Sequence, residues 1–438
     1  MKLRSAHDRD IARLAVPAFG TLISAPLYVL ADTAIVGHLG TSELAGLALA
    51  STVLLTVHGL MIFLAYGTTS TVARLLGGDD EPAAARVSVQ GLWLALALGV
   101  TLALLIGLLS RPLLRLLGGS GPELAAGNTY LTISLVGLPF LLLTLAGAGA
   151  FHGRQNTRTP LVLAVSGNIA NLVIEVVLIY GLGFGIGASA LATVIAQVGV
   201  GVAYARNVLG WAASIGVDLH VVWATIRRLL VAGQPLILRT LALRGSFTLS
   251  TAAAARIGVA ELAAHQVAME VWSTLALALD AVAIAGQALT GRWLGAGAAT
   301  RAREAATRMI QLDVAVGVVA AVVILAARRP IAEVFSDDPA VVSATMFVLV
   351  WVALVQPVNG YAFAVDGILI GAGDFRYLGR SMALVSLVFG VMGLAVARSE
   401  AGLGWLWTAL TAYMVLRGLA VWWRWRSDRW LVVGSGVS

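Results

Sequence analysis

The 438-residue chain has no cysteine, and its only lysine is Lys2. Without cysteine it holds no disulfide, no thiolate-bound metal and no cysteine nucleophile. Charge is scarce too: 12% of the residues are Asp, Glu, Lys or Arg, against about 25% in soluble proteins. So little charge cannot cover the surface of a water-soluble chain of this length. There is no Walker lysine motif, and no spacing of a zinc, nucleotide or hydrolase signature. No extended polar stretch could house an ATPase domain. No cofactor, metal or enzymatic activity is expected.

What is present is apolar residue. Hydrophobic residues make up 59% of the chain, with a mean hydropathy of +0.91. Windows long enough to cross a bilayer fall at 12–36, 44–73, 87–110, 124–150, 160–182, 186–209, 221–254, 262–291, 309–327, 340–368, 380–397 and 402–423. That predicts an all-α polytopic membrane protein with twelve transmembrane helices. The 221–254 window contains Arg239 and Arg244, which suggests a bent helix partly lining a wet cavity. The start, MKLRSAHDRD, is polar and mixed in sign. It reads as an amphipathic lead-in, not a cleaved signal.

The net charge of +7 is topological. With the N-terminus inside, Lys2, Arg4, Arg9, Arg13, Arg74, Arg86, Arg154, Arg158, Arg227 and Arg228 gather on one side, as do most arginines of the second half. Arg111, Arg115, Arg256, Arg328, Arg329 and Arg398 are left for the other. That is the positive-inside bias, and it puts both termini in the cytoplasm of an inner (plasma) membrane protein. Nucleic acid is not an expected partner; membrane lipid is. Tryptophans near segment ends (Trp211, Trp405, Trp407, Trp422, Trp423, Trp425, Trp430) read as interface belt residues.

The strongest pattern is an internal repeat. Pro17 falls on Pro235 at an offset of 218, and the same offset places Gly40 on Gly258, Glu43 on Glu261 and Arg74 on Arg292. Arg111-Pro112 meets Arg329-Pro330, Pro139 meets Pro357, Gly153 meets Gly371 and Arg158 meets Arg376. Kinks and loop anchors repeat together without a gap. Each half holds six spans, so the halves share one orientation, as parallel repeats do. The expected domains are an N-terminal six-helix lobe (1–209), a linker (210–220), a C-terminal six-helix lobe (221–425) and a tail (426–438).

The repeat breaks where chemistry is expected. Asp32 falls on Ser250 and Glu175 on Gly393, so two deep acids of the first half have no acidic counterpart. Asp32 lies in the first span, between Leu14 and Gly40, which also carries Pro17 and Pro26. An acid at the centre of an inserted helix costs roughly 2.5–3.5 kcal/mol and usually faces a bundle interior or a pathway. Proline kinks such a helix and frees a carbonyl. A plain anchor needs neither. In the fifth span Asn168, Asn171 and Glu175 share one helix face, and the sixth brings Thr193 to the same outer half, with Gln197 one turn deeper. Two buried carboxylates favour holding a proton, because burial and mutual repulsion both oppose the second negative charge. When both are ionised they could instead hold a small cation.

Other polar residues inside the spans are ambiguous. Gln266, Glu270, Asp280 and Gln287 on the eighth span are candidates to line a cavity in the second half. Glu270 and Asp280 could equally neutralise Arg239 or Arg244. Asp313 and Asp366 are expected near the cytoplasmic ends of their helices, snorkelling or capping. His58 and His265 read as bundle residues, not proton relays.

Taken together, five stretches resemble the multidrug and toxic compound extrusion (MATE) transporters, and among them the DinF-like branch. They are LAVPAFGTLISAPLYVLADTAIVGHLG, GRQNTRTP at 153–160, GIGASALATVIAQ at 185–197, ELAAHQVAMEVW at 261–272 and DGILIGAGDFRYL at 366–378. The similarity runs from about Leu14 to Trp423. The resemblance implies a secondary antiporter that exports organic cations or amphipathic drugs in exchange for H+ or Na+. It matches Asp32 to the first-helix acid of the coupling site and Pro26 to the proline whose region bends when that acid is protonated. Asn171, Glu175 and Thr193 match neighbours of that acid. Position 175 departs from the family, where aspartate is common, which bears on ion preference. The absence of an Asp32 counterpart in the second half tilts the reading to H+. A monomer is expected. The alternatives are a flippase for lipid-linked or amphiphilic molecules, which would want a central arginine-rich cavity, and a polytopic membrane enzyme, which would want His/Asp/Glu constellations at one membrane face.

Overall fold

The computed structural model describes residues 7–399 and 401–434; Lys2, Arg4 and the last residues of the tail lie outside them. The ordered elements are helical. They are α1 (Asp8–Gly37), α2 (Thr41–Met61), α3 (Phe63–Gly77), α4 (Glu81–Leu108), α5 (Ser110–Leu116), α6 (Gly121–Ser134), α7 (Leu138–Gly153) and α8 (Arg158–Val176), which ends in a π-helical turn (Val177–Gly181). Then come α9 (Ile186–Ser214), α10 (Trp223–Ile257), α11 (Val259–Gly295), α12 (Ala299–Phe335), α13 (Pro339–Gly371), α14 (Phe375–Arg398) and α15 (Leu403–Arg426). In a bilayer each backbone polar group must be satisfied within its own segment, and helices do this.

Among the described residues, nine helices are long and apolar enough to cross a membrane, or ten if α6 and α7, bent by 53°, form one crossing. α2 and α3 together make one of these. α10 and α15 are also long, at 35 and 24 residues. They fall short of the same test because their apolar runs are interrupted by residues such as Arg239, Arg244 and Arg417. Each of the twelve hydrophobic windows nevertheless coincides with a long helical segment.

The chain packs as two compact units, one of Gly20–Gly233 and the other of Met1–Phe19 with Gln234–Ser438. Within each, glycines let helices touch backbone to backbone, as in membrane bundles generally. A Cβ on Gly99 of α4 would sit 2.4 Å from Pro139 Cα of α7, and one on Gly317 of α12 would sit 2.4 Å from the Gln356 carbonyl and 3.0 Å from Pro357 Cα of α13. A Cβ on Gly149 would sit 2.5 Å from the Ala65 carbonyl, and one on Gly367 2.5 Å from that of Ala283. All these partners are related by the offset of 218, so the repeat is one of helix contacts and not of hydropathy alone.

The halves differ in continuity. In the first, the second crossing is interrupted at Ile62, the third at Leu109 and the fourth between Ser134 and Leu138. Their counterparts α11, α12 and α13 run unbroken. α10 is likewise one helix with Pro235 inside it.

Two expectations are corrected here. Trp407 is no belt residue: it is fully buried in an aromatic core with Trp272, Phe389 and Tyr413. Trp211 is buried as well, donating to Glu81 (2.8 Å) beneath the Arg154 guanidinium, 4.2 Å from the ring centroid. Asp313 and Asp366 do not snorkel. Both are buried, and for Asp366 the reason is visible: Arg239 (2.7 Å) and Arg417 both donate to its Oδ2.

The connection between α9 and α10 is short, with Asp218 and His220 as its polar residues. The His220 backbone N–H, 3.0 Å from the Asp218 carboxylate, and the His220 ring hold that carboxyl below its ordinary range. Gln90 then ties this connection to α4, donating to the His220 carbonyl and accepting from Val222 N–H, each at 2.8 Å.

Candidate functional site

In the Gly20–Gly233 unit, three helices bring the acids together. α1 ends at Gly37 and carries Asp32 in its last turns; α8 ends at Val176 and carries Glu175; α9 begins at Ile186. The π-helical turn after α8 and the Gly183–Gly185 connection return the chain so that the start of α9 lies beside both acids. Ser189 Oγ donates to Asp32 Oδ1 at 3.0 Å. Asp32, Glu175, Asn171 and Ser189 are all buried.

Around the acids lies a hydroxyl and amide network. Asn171 Nδ2 donates to Tyr28 OH (2.9 Å) and to Thr193 Oγ1 (3.2 Å), and the two hydroxyls lie 3.2 Å apart. Thr193 in turn donates to the Ser189 carbonyl at 3.1 Å. Tyr130 of α6 also stands in the electrostatic field of both acids and beside Ser189 and Thr193. Glu175 is fully buried, with Asp32 and Ser189 as neighbours. Neither of its oxygens has a hydrogen-bond partner of good geometry, and Asn171 Oδ1 also lacks one. A charged carboxylate so placed is costly; a neutral acid is tolerable.

Asn168 sits one turn before Asn171 and donates to the Ser24 carbonyl at 3.1 Å. That bond reaches α1 two residues before Pro26, where proline has already removed one helix hydrogen bond. Gln197 lies two turns beyond Ser189 on α9, with its Oε1 against the bend at Gly137. That oxygen is buried there without a hydrogen-bond partner.

The expected residues of the other half are divided. Gln266 and Glu270 are exposed on α11. Gln287 is buried, and its carbonyl would lie 2.5 Å from a Cβ at Gly371. Asp280 stands in the field of Arg239, Asp366 and Arg417. Arg239 takes Asp366 as its hydrogen-bonded partner, and Arg244 is exposed. His265 is fully buried, 3.3 Å from Ser250 Oγ.

Three residues escaped the sequence reading: Tyr28, Tyr130 and Ser189. Tyr28 lies one helical turn before Asp32 and Ser189 one turn before Thr193, so spacing on α1 and α9 was the available signal. Tyr130 had none.

A helical membrane bundle in two repeated halves, with ionisable groups buried inside it, defines a membrane transporter. The MatE family pattern matches residues 17–177 and again 235–396, and the chain belongs to that family. It is 33% identical to Protein DETOXIFICATION 44, chloroplastic, of Arabidopsis thaliana over 95% of this chain and 81% of that protein. It is 32% identical to the DNA damage-inducible protein F of Escherichia coli over 98% and 95% of the two chains. A crystal structure of a MATE protein in a bent conformation superposes with a TM-score of 0.89 at 22% identity, covering 97% of this chain and 96% of the other.

Proposed function

We propose that the protein is a secondary antiporter that exports lipophilic or cationic drugs and other toxic organic compounds in exchange for protons. The observation that carries this reading is the burial of Asp32 and Glu175 side by side, with no hydrogen-bond partner of good geometry for either oxygen of Glu175. Deprotonated, the pair is a counter-charge for a lipophilic cation in an apolar setting. Protonated, it is not. Proton and substrate therefore bias opposite states of the carrier, as exchange requires. Asn171, Asn168 and Thr193 position the pair, Pro26 is the point at which α1 bends, and Gln197, Gln266, Glu270 and Asp280 are assigned to the substrate path.

Relatives named for detoxification and for DNA-damage induction support this reading and the DinF-like placement. In this reading both termini are cytoplasmic, which the charge bias supports, and the plasma-membrane protein works as a monomer. The flippase reading is the alternative; the pairing of Arg239 with Asp366 weighs against an arginine-rich substrate cavity. Sodium is the competing ion.

The test is proton release from the purified, detergent-solubilised protein on addition of a lipophilic dye cation, in wild type and Asp32→Asn, with sodium titrated in parallel. Release that is lost in the variant and needs no sodium is expected. Dye binding without release in either protein would refute proton coupling.

A further inference from the structure

The second unit holds its own ionisable cluster, with Arg239, Asp313, Asp366 and Arg417 buried and Asp280 half-buried, and with no counterpart in the repeat. It draws one residue from each of five helices: Arg239 (α10), Asp280 (α11), Asp313 (α12), Asp366 (α13) and Arg417 (α15). The offset of 218 places these on Thr21, Ile62, Ala95, Ala148 and Gly199, none of them charged. Each lies in the half of its helix nearer the α11–α12 turn. Asp366 Oδ2 accepts from both guanidiniums. Asp280 stands in the field of Arg239, Asp366 and Arg417, and Asp313 in that of Asp280. Asp313 is fully buried, and neither of its oxygens has a hydrogen-bond partner.

The charges do not cancel. Three carboxylates against two arginines leave one net negative charge inside an apolar bundle, where a lone charge is far more costly than a neutral group. One proton removes it. A metal ion would also supply positive charge, but the two arginines repel it, and Asp366 already spends one oxygen on both of them. The geometry points to Asp313, together with Asp280, as a second and exchangeable proton site in the C-terminal unit, with the Arg239–Asp366–Arg417 triad as its fixed electrostatic frame. The proton resides on a carboxylate oxygen of Asp313 or Asp280 and leaves to water; no other bond changes.

The test is infrared difference spectroscopy of the full-length protein between acidic and alkaline buffer, in an Asp32→Asn/Glu175→Gln background that removes the other pair. A protonated-carboxyl C=O band that titrates and shifts in D2O is expected to remain there, and to disappear when Asp313→Asn is added. Asp313→Glu keeps the acid and should keep the band at a displaced frequency, which covers the case in which Asp313→Asn does not fold. The absence of a titrating band in the background variant would overturn the assignment. So would a band unmoved by both Asp313 substitutions.

Discussion

Trp407 occupies in the second half the repeat position that Ser189 holds in the first, and the two fully buried side chains do opposite things. Ser189 donates to Asp32. Trp407 packs against His265 and Trp272, with ring centroids 5.6 Å and 6.1 Å away. The position matching Asn171 is Phe389, also fully buried, and that matching Glu175 is Gly393. One unit is polar and chargeable at this place, while the other is filled with aromatic rings. Together with the interruptions at Ile62, Leu109 and 135–137, which α11, α12 and α13 lack, this makes the first unit the more polar and the more interrupted of the two at these places.

Trp407→Ala should therefore act on stability. Large-to-small core changes of this kind cost about 3–5 kcal/mol, so a marked fall in the thermal unfolding midpoint of the purified protein is expected, with dye affinity kept in the folded fraction. Ser189→Ala should show the reverse: a loss of about 1 kcal/mol for one buried hydrogen bond, but a changed pH dependence of dye binding. Equal effects of both on the unfolding midpoint would contradict the asymmetry.

What the sequence made legible is uneven, and the reason is physical. Asp32, Glu175, Asn171 and Thr193 stood out because carboxylates and amides are rare in spans and share helix faces. Ser189 and Tyr28 did not, because a hydroxyl in a membrane helix usually bonds its own backbone. Thr52, Thr56 and Thr129 do so at 2.8, 2.7 and 3.0 Å. The repeat was legible through its prolines and glycines, whose backbone demands cannot be met by other residues. The burial of Asp366 was not, because its partners lie 127 and 51 residues away, and sequence spacing offered Arg239 other acids, Glu270 and Asp280, as partners. Trp407 was misread for a related reason: a tryptophan near a span end carries no mark of which way its ring faces.

The two acids should be separable by pH. The two carboxylates share one buried site, so Glu175→Gln should move the pH midpoint of dye binding away from the wild-type value, because Asp32 then titrates without a coupled partner. In Asp32→Asn, by contrast, dye-coupled proton release should be lost at every pH. Binding curves of a fluorescent cation across the pH range decide this. An unmoved midpoint in Glu175→Gln would mean that the carboxylates titrate independently.

The hydrogen bond from Asn168 to the Ser24 carbonyl ties α8 to α1 beside Pro26. Pro26→Ala returns an N–H to the helix and should straighten and stiffen α1. The expected result is slower efflux from proteoliposomes with dye affinity within a few-fold of wild type. Asn168→Ala removes the tie without restoring the helix bond, and should not reproduce that slowing. If both variants lose binding and transport in parallel, the bend is structural and not part of the cycle.

The Asp366 ion cluster makes the most stringent stability prediction. Asp366→Asn leaves Arg239 and Arg417 without their shared carboxylate in a buried setting, and breaking one side of such an arrangement costs about 3–5 kcal/mol. Arg417→Met alone should be milder, because Arg239 still holds Asp366 at 2.7 Å. Arg239 and Arg417 share one oxygen, so their removals should not be additive: the second should cost more than the first, since only then is Asp366 left unpaired. A thermodynamic cycle over Arg239→Met, Arg417→Met and the double variant measures that coupling. A coupling near zero would show that Asp366 is held by the surrounding packing and not by its two arginines.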